Sequence, residues 1–330
     1  MIARPLGQTS VNSVGLGCMS LSGFYGPSSE AEAMRLLGRA LDLGVDFLDT
    51  ANVYGEGLSE TRIGAFLAED RSRRGRIKLA TKFAISRTAE GKRVIDNSEA
   101  HMIAALEGSL RRLGVDCVDL YYVHRLDPRF AVEDTVGALA RQVEKGKIRA
   151  IGLSETAPDT LRRACAVHAI AAMQSEYSLW TRGPELGMLQ ACAELGVAFV
   201  AFSPVARGAL SGRVRDIEAL GPSDFRRNTP RFSGLSWKRN LARIDAYVEL
   251  ANSLGRDPCE LALAWVLAQG PHVLAIPGTR YPENLEHDVR AAGKPLTSDE
   301  AEALARVLPV GWAAGDRYTE AQWNNIERYC

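Results

Sequence analysis

The chain has 330 residues, 46% of them hydrophobic, enough for one elaborated barrel or two modest domains. Its 40 Lys and Arg balance 40 Asp and Glu, so the formal net charge is +0 and no bulk field recruits nucleic acid or anionic lipid. Met1 to Leu6 lacks the apolar core of a signal peptide, and no apolar run approaches the roughly 20 residues that span a bilayer, so a cytoplasmic protein without a membrane partner is expected.

In chain order, the turn residues Gly7 to Ser10 lie between short half-apolar pieces and predict an N-terminal β-hairpin that closes the bottom of a barrel. Val14 to Met19 reads as the first barrel strand. Ser29 to Leu43 reads as its helix, with Ala33, Leu36, Leu37, Ala40 and Leu41 on one face. The unit then repeats: a strand from Val45 to Asp49, a helix near Ser59 to Glu69, a strand ending at Lys82, a helix near Ser98 to Leu113, and a strand ending at His124. Helical pattern resumes at Val132 to Glu144, followed by a strand to Ser154, a helix from Pro158 to His168 and a strand from Ile170 to Ser175. Pro184 to Leu195 reads as a helix and Val197 to Ser203 as a strand.

A long excursion rich in Gly and Arg runs from Pro204 to Ser236, and loops of that length usually carry function. Asn240 to Leu254 and Pro258 to Ala268 read as helices, Val273 to Pro277 as the last strand, and Pro282 to Arg290 as its helix. Thr297 begins a further helix through a Thr-x-x-Glu capping box, and Gly311 to Cys330 is a polar, Trp-containing tail expected to fold over the top face. Alternation without a mid-chain linker argues for one α/β domain over residues 1–330, a (β/α)8 TIM barrel. Cys18, Cys117, Cys165, Cys192, Cys259 and Cys330 form no CxxC pair and are expected as free thiols.

All strand C-termini of such a barrel open on one face, which would bring Asp49, Tyr54, Lys82 and His124 together. A phenol, whose ordinary pKa is about 10, donates a proton poorly unless a nearby cation stabilises its phenolate. Lys82 would be that cation and Asp49 would hold it charged. His124 would orient a carbonyl oxygen, or relay the proton at low pH, and with Tyr54 would receive the charge that develops as hydride arrives.

These segments resemble the aldo-keto reductases, TIM-barrel enzymes that move hydride between NADP(H) and a carbonyl. Gly44 to Gly55 is similar to that family's Asp-and-Tyr signature, Arg111 to Leu120 to the segment before its catalytic His, and Ala80-Thr81-Lys82-Phe83 supplies the Lys. The resemblance implies Tyr54 as general acid, Lys82 and Asp49 as its partners, and His124 as the carbonyl-orienting residue. It implies further that Ser154 and Gln174 bond the nicotinamide carboxamide and that Phe202 stacks under the ring. By the same resemblance, Ser203, Pro204, Val205, Arg207, Gly208 and Leu210 belong to a pyrophosphate loop. Pro277, Gly278, Thr279 and Arg280 belong to an adenosine-phosphate segment, with Arg280 on the 2′-phosphate. Two positions depart from the family pattern: Glu155 where many members have Asn, and His287-Asp288 where many have Glu-Asn at the adenine.

Phe24, Tyr25, Phe83, Arg125, Trp180 and Trp237 are expected on top-face loops, lining a pocket for a small carbonyl substrate. A Rossmann dehydrogenase is disfavoured because the run from Gly15 to Ser20 lacks the third glycine of that fingerprint. A metal-dependent hydrolase is disfavoured because His101, His124, His168, His272 and His287 show no paired ligand spacing, so no metal is expected. The alternative outside enzymes is a cofactor-bearing regulatory module resembling potassium-channel β subunits.

Overall fold

The computed structural model describes residues 2–88, 90–222, 224–323 and 325–327. Its centre is a sheet of eight parallel strands: β3 (Leu16–Gly17), β4 (Phe47–Asp49), β5 (Lys78–Phe83), β8 (Leu120–Val123), β9 (Ile151–Ser154), β10 (Ile170–Glu176), β11 (Ala198–Phe202) and β12 (Val273–Ile276). The ring closes where Val14 bridges Ala275. There the Gly15 N–H donates to the Ala275 carbonyl at 2.9 Å, and the Ala275 N–H to the Ser13 carbonyl at 3.0 Å.

Between the strands run α1 (Glu30–Asp42), α2 (Leu58–Glu69), α3 (Glu99–Leu113), α4 (Val132–Glu144), α5 (Pro158–Val167), α6 (Met188–Leu195), α7 (Gly234–Ser253), α8 (Pro258–Leu267) and α9 (Pro282–Gly293), with α10 (Ser298–Val307) following. The hairpin β1 (Ala3–Leu6) and β2 (Thr9–Asn12) forms as expected. Its Leu6 and Val11 pack in one cluster with Phe47, Leu120 and Tyr122 from inside the barrel, which closes the bottom.

Strand parity divides the core into two shells. Phe47, Ala80, Leu120, Tyr122, Ala172, Ala198 and Val200 fill the barrel, whereas Leu48, Leu79, Phe83, Tyr121, Val123, Met173 and Phe199 face the helices. Volume is matched across the ladder: Tyr122 pairs with Gly152, where an added Cβ would lie 2.4 Å from the tyrosine ring. In α1 the stripe Ala33, Leu36, Leu37, Ala40 and Leu41 is buried as its spacing requires, and Ser29 and Glu32 form a capping box. A buried Leu of this kind contributes roughly 1.5–3 kcal/mol.

Several boundaries differ from expectation. The first strand is cut short because Cys18–Ser22 turns into a 3-10 helix. The helix expected from Pro184 breaks at Gly187, whose φ of 114° is open to glycine. α7 starts at Gly234, before the expected Asn240, because Trp237 stacks on Phe232 at 5.2 Å and donates to the Arg215 carbonyl at 3.2 Å. Ala84, with φ of 92°, turns the chain from β5 into an unexpected hairpin, β6 (Ile85–Arg87) and β7 (Arg93–Ile95). The excursion after β11 is built from the 3-10 turns Ala206–Ser211, Phe225–Asn228 and Pro230–Phe232. No helix among the described residues is long and apolar enough to cross a membrane. Cys18, Cys117, Cys165, Cys192 and Cys259 are free thiols, and Cys330 lies outside the described residues.

The tail lies over the C-terminal end of the barrel. The Trp312 indole donates to the Leu179 carbonyl at 2.7 Å, the Asn325 amide to the Leu126 carbonyl at 2.9 Å, and Glu327 accepts from the Ala157 N–H at 2.7 Å.

Candidate active site

Among the described residues seven non-glycine residues have positive φ: Glu56, Ala84, Glu155, Ser203, Ala206 and Arg207 all follow barrel strands, and Asn325 is the exception. Each such conformation costs of order 1–3 kcal/mol, and the cost is gathered at the barrel's top face. A cleft of about 310 Å³ opens there, a size suited to a small ligand.

Inward parity delivers the functional side chains. Asp49 follows Phe47, Lys82 follows Ala80, His124 follows Tyr122, Gln174 follows Ala172 and Phe202 follows Val200, each at an inward position. The Lys82 ammonium is fully buried, pairs with Asp49 Oδ1 and donates to the Thr50 carbonyl at 2.8 Å. Gln174 Nε2 donates to Asp49 Oδ2 at 2.8 Å, so both carboxylate oxygens are held. Tyr54 stands on the turn after β4, its ring centroid 5.3 Å from Lys82 Nζ and 6.0 Å from the His124 ring, edge-on.

Burial opposes the charge on Lys82, yet Asp49 and Tyr54 outweigh it and raise its pKa, which keeps the ammonium charged. Burial pushes Asp49 up from the ordinary carboxylate value while Lys82 and Gln174 pull it back. Tyr54 departs from expectation: burial raises the phenol above its usual pKa, and Lys82 and Arg125 offset this only in part. His124 is held well below its usual pKa, first by burial and then by Arg125, Lys82 and Arg93, so its imidazole is neutral at pH 7. At neutral pH the geometry therefore favours the carbonyl-orienting role over a stored imidazolium. Its Nδ1 is buried without a partner, an environment that suits a bare lone pair and leaves the N–H on Nε2.

Asp49, Tyr54, His124, Ser154, Gln174 and Phe202 line the cleft, with Lys82 directly behind Asp49 and Tyr54. Ser203, Pro204, Val205, Arg207 and Gly208 line it further along, where the positive φ values of Ser203, Ala206, Arg207 and Gly208 curl the backbone into a concavity suited to an anion. Pro277, Gly278, Thr279 and Asp288 also border the cleft, as do Phe24, Tyr25 and Arg125.

Six expected residues lie elsewhere. Phe83 has outward parity and stacks on Tyr121 at 5.2 Å. Leu210 is buried where its 3-10 turn packs on α7 and α8. Trp180 and Trp237 are buried and both stack on Phe232, at 5.4 and 5.2 Å. Arg280 turns away from the cleft, stacks over the Tyr281 ring at 5.2 Å and donates to the Pro27 carbonyl at 2.5 Å. His287 does not line the cleft and meets Asp257 at 3.1 Å. Glu155 does not line the cleft: it accepts from the Glu176 N–H at 2.9 Å and pairs with Arg317 of the tail.

Sequence reasoning missed Phe225, Tyr318, Arg213, Asn284 and Cys259, all of which line the cleft. Phe225 sits in the excursion and Tyr318 in the tail, both flagged only as stretches. Cys259 and Asn284 lie in the first turns of α8 and α9, and helices that follow barrel strands begin at the top face. Arg213 Nη1 donates to Asn284 Oδ1 at 2.7 Å. Among the described residues no group of three or more His, Cys, Asp or Glu side chains is placed to hold a metal ion.

The aldo/keto reductase family model matches residues 13–309. The chain is 39% identical over 327 residues to the NADP(+) aldo-keto reductase yakc of Schizosaccharomyces pombe, covering 98% of this chain and 96% of the relative. Among solved structures it is similar to the glycerol dehydrogenase AKR11B4 from Gluconobacter oxydans, with a TM-score of 0.84, 28% identity and coverage of 96% and 97% of the two chains. It is also similar to the holo form of the aldo-keto reductase AKR11C1 from Bacillus halodurans, with a TM-score of 0.77, 30% identity and coverage of 94% and 97%. On this barrel, this cleft and these matches, the chain belongs to the aldo/keto reductase family.

Proposed function

We propose that the protein is a cytoplasmic, single-domain oxidoreductase that reduces a small aldehyde or ketone to the alcohol with NADP(H). The observation that carries the reading is the meeting of a phenol, a charged Lys-Asp pair and a neutral imidazole in one cleft, whose lining continues to Ser203, Gly208, Pro277 and Gly278. NADPH, when bound, supplies the hydride. Phe202, Ser154 and Gln174 line the cleft together and would hold a nicotinamide, and the concavity from Ser203 to Gly208 would hold a pyrophosphate. Arg213 fits the 2′-phosphate better than Arg280, because it borders the cleft beside Asn284.

His124 Nε2–H and the Tyr54 hydroxyl bind the carbonyl oxygen and orient its carbon toward the nicotinamide slot. As that carbon gains hydride, its oxygen gains the Tyr54 proton, and the phenolate left behind is stabilised by Lys82. A raised phenol pKa does not block the step, because the alkoxide forming on the substrate is a stronger base than any phenolate. Solvent then returns one proton to Tyr54, so carbonyl, NADPH and a proton give alcohol and NADP(+). The similar proteins described above are named as reductases and a dehydrogenase, and the regulatory-module alternative gains no support from them.

Turnover of 4-nitrobenzaldehyde with NADPH, followed at 340 nm, tests the reading. Steady consumption dependent on both components is expected, and its absence across a panel of aldehydes and ketones would reject it.

A further inference from the structure

Three arginines line the cleft, and their electrostatic situations differ. Arg207 is neutralised by Glu176 at 2.8 Å, and Arg213 sits beside Asn284 and Asp288 at the end remote from Tyr54. Arg125 follows His124 directly at the reacting end. It is only 7% exposed, yet it has no ion-pair partner among the described residues. Its Nη1 donates to the His124 carbonyl at 2.6 Å and to Ser154 Oγ at 3.3 Å, and its Nε is buried without a hydrogen-bond partner among the described residues.

A buried guanidinium without a carboxylate pays desolvation with no charge returned, and buried charges are ordinarily paired. The neighbourhood makes this worse. Lys82 is already balanced by Asp49, His124 is neutral, and the charge on Arg93 of β7 is disfavoured first by burial and then by Arg125. The nearby acids are committed elsewhere: Asp127 to Arg129 at 2.5 Å, and Glu155 to Arg317. The reacting end of the cleft therefore carries an uncompensated positive charge on a planar fork that matches carboxylate or phosphate oxygens.

Resting on the proposed carbonyl reduction, we infer that the substrate is itself an anion, a carbonyl compound bearing a carboxylate or phosphate that Arg125 binds. Arg125 thereby sets specificity.

Two matched pairs of aldehydes test this with NADPH: 4-carboxybenzaldehyde against methyl 4-formylbenzoate, and 4-formylphenyl phosphate against 4-methoxybenzaldehyde. The wild-type protein is expected to favour the charged member of at least one pair by about tenfold or more in kcat/KM, and the preferred pair distinguishes carboxylate from phosphate. Arg125→Met should collapse that ratio, and Arg125→Lys should restore part of it. Equal use of both members of each pair by the wild type, or a preference that survives Arg125→Met, overturns the inference.

Calorimetric binding of benzoate and benzamide separates this result from the parent reading, because it needs no turnover. Benzoate binding that is lost in Arg125→Met supports the anion site even if no aldehyde is reduced. Reduction of aldehydes with benzoate no tighter than benzamide leaves the reductase reading intact and removes the anion site.

Discussion

Lys82 bonds Asp49 from the neighbouring strand, two positions beyond Ala80, the residue that faces Asp49 in the ladder between β4 and β5. Strand alternation turns both side chains inward, where water cannot replace either partner. Lys82→Met keeps the volume and leaves the Asp49 carboxylate with Gln174 alone. Removing one partner of a buried pair costs about 3–5 kcal/mol. Urea unfolding should show a loss of that order, and a loss below about 1 kcal/mol would mean that Asp49 is not held ionised by Lys82.

Asp288 gives stability a pH dependence of definite sign. Burial and then Asp257 push its carboxyl up to about 8, with Arg213 opposing. The unfolded chain has the ordinary value of 3.8, so between about pH 4 and pH 8 the folded protein binds a proton that the unfolded chain has released. Stability from this group is complete below that window and lost as pH rises through it. Asp288→Asn should match the wild type near pH 4 and gain a few kcal/mol by pH 8.5, read as a growing difference in Tm. A difference that shrinks toward alkaline pH would contradict the assignment.

Arg213 tests the cofactor end. It borders the cleft beside Asn284, while Arg280 faces Pro27. Hydrogen bonds to a charged group contribute about 1.5–3 kcal/mol, so Arg213→Ala should weaken NADPH by roughly 10- to 100-fold in a fluorescence titration. NADH should change by no more than about threefold. Equal losses would take Arg213 off the 2′-phosphate.

The tail is tied down by charge. Arg317 pairs with Glu155 and lies 3.6 Å from Glu176, and Tyr318 beside it lines the cleft. Burial would raise Glu176, but Arg207, Arg317 and Arg231 together hold it at about 2. Arg317→Ala should release the tail, seen as faster amide exchange over residues 312–323 with the barrel strands unchanged. Unaltered exchange there would show that the aromatic contacts of Tyr318 and Trp323 suffice.

The barrel was legible because short apolar strand runs alternate with helices that carry an apolar stripe, as in α1. Asp49, Tyr54, Lys82 and His124 were legible because they sit at strand ends with a recognisable spacing. Parity was the missing step for Phe83: counting from Ala80 and Lys82 inward places Phe83 outward. Trp180 and Trp237 belong to a packing unit around Phe232 that forms only when the excursion and α7 fold together. Phe225 and Tyr318 reach the cleft through segments whose path is set by long-range ion pairs, which carry no local signal. Lys82 beside a phenol was readable, but the net direction at Tyr54 was not, since desolvation depends on everything packed around the ring.

The central claim is that the Tyr54 hydroxyl supplies the proton. Single-turnover oxidation of bound NADPH by 4-nitrobenzaldehyde in the Tyr54→Phe variant tests it directly, with cofactor affinity measured on the same sample. A general acid contributes about 10²- to 10⁴-fold, so the rate should fall by at least that much while NADPH binding is retained. A rate within a few-fold of wild type would contradict the account.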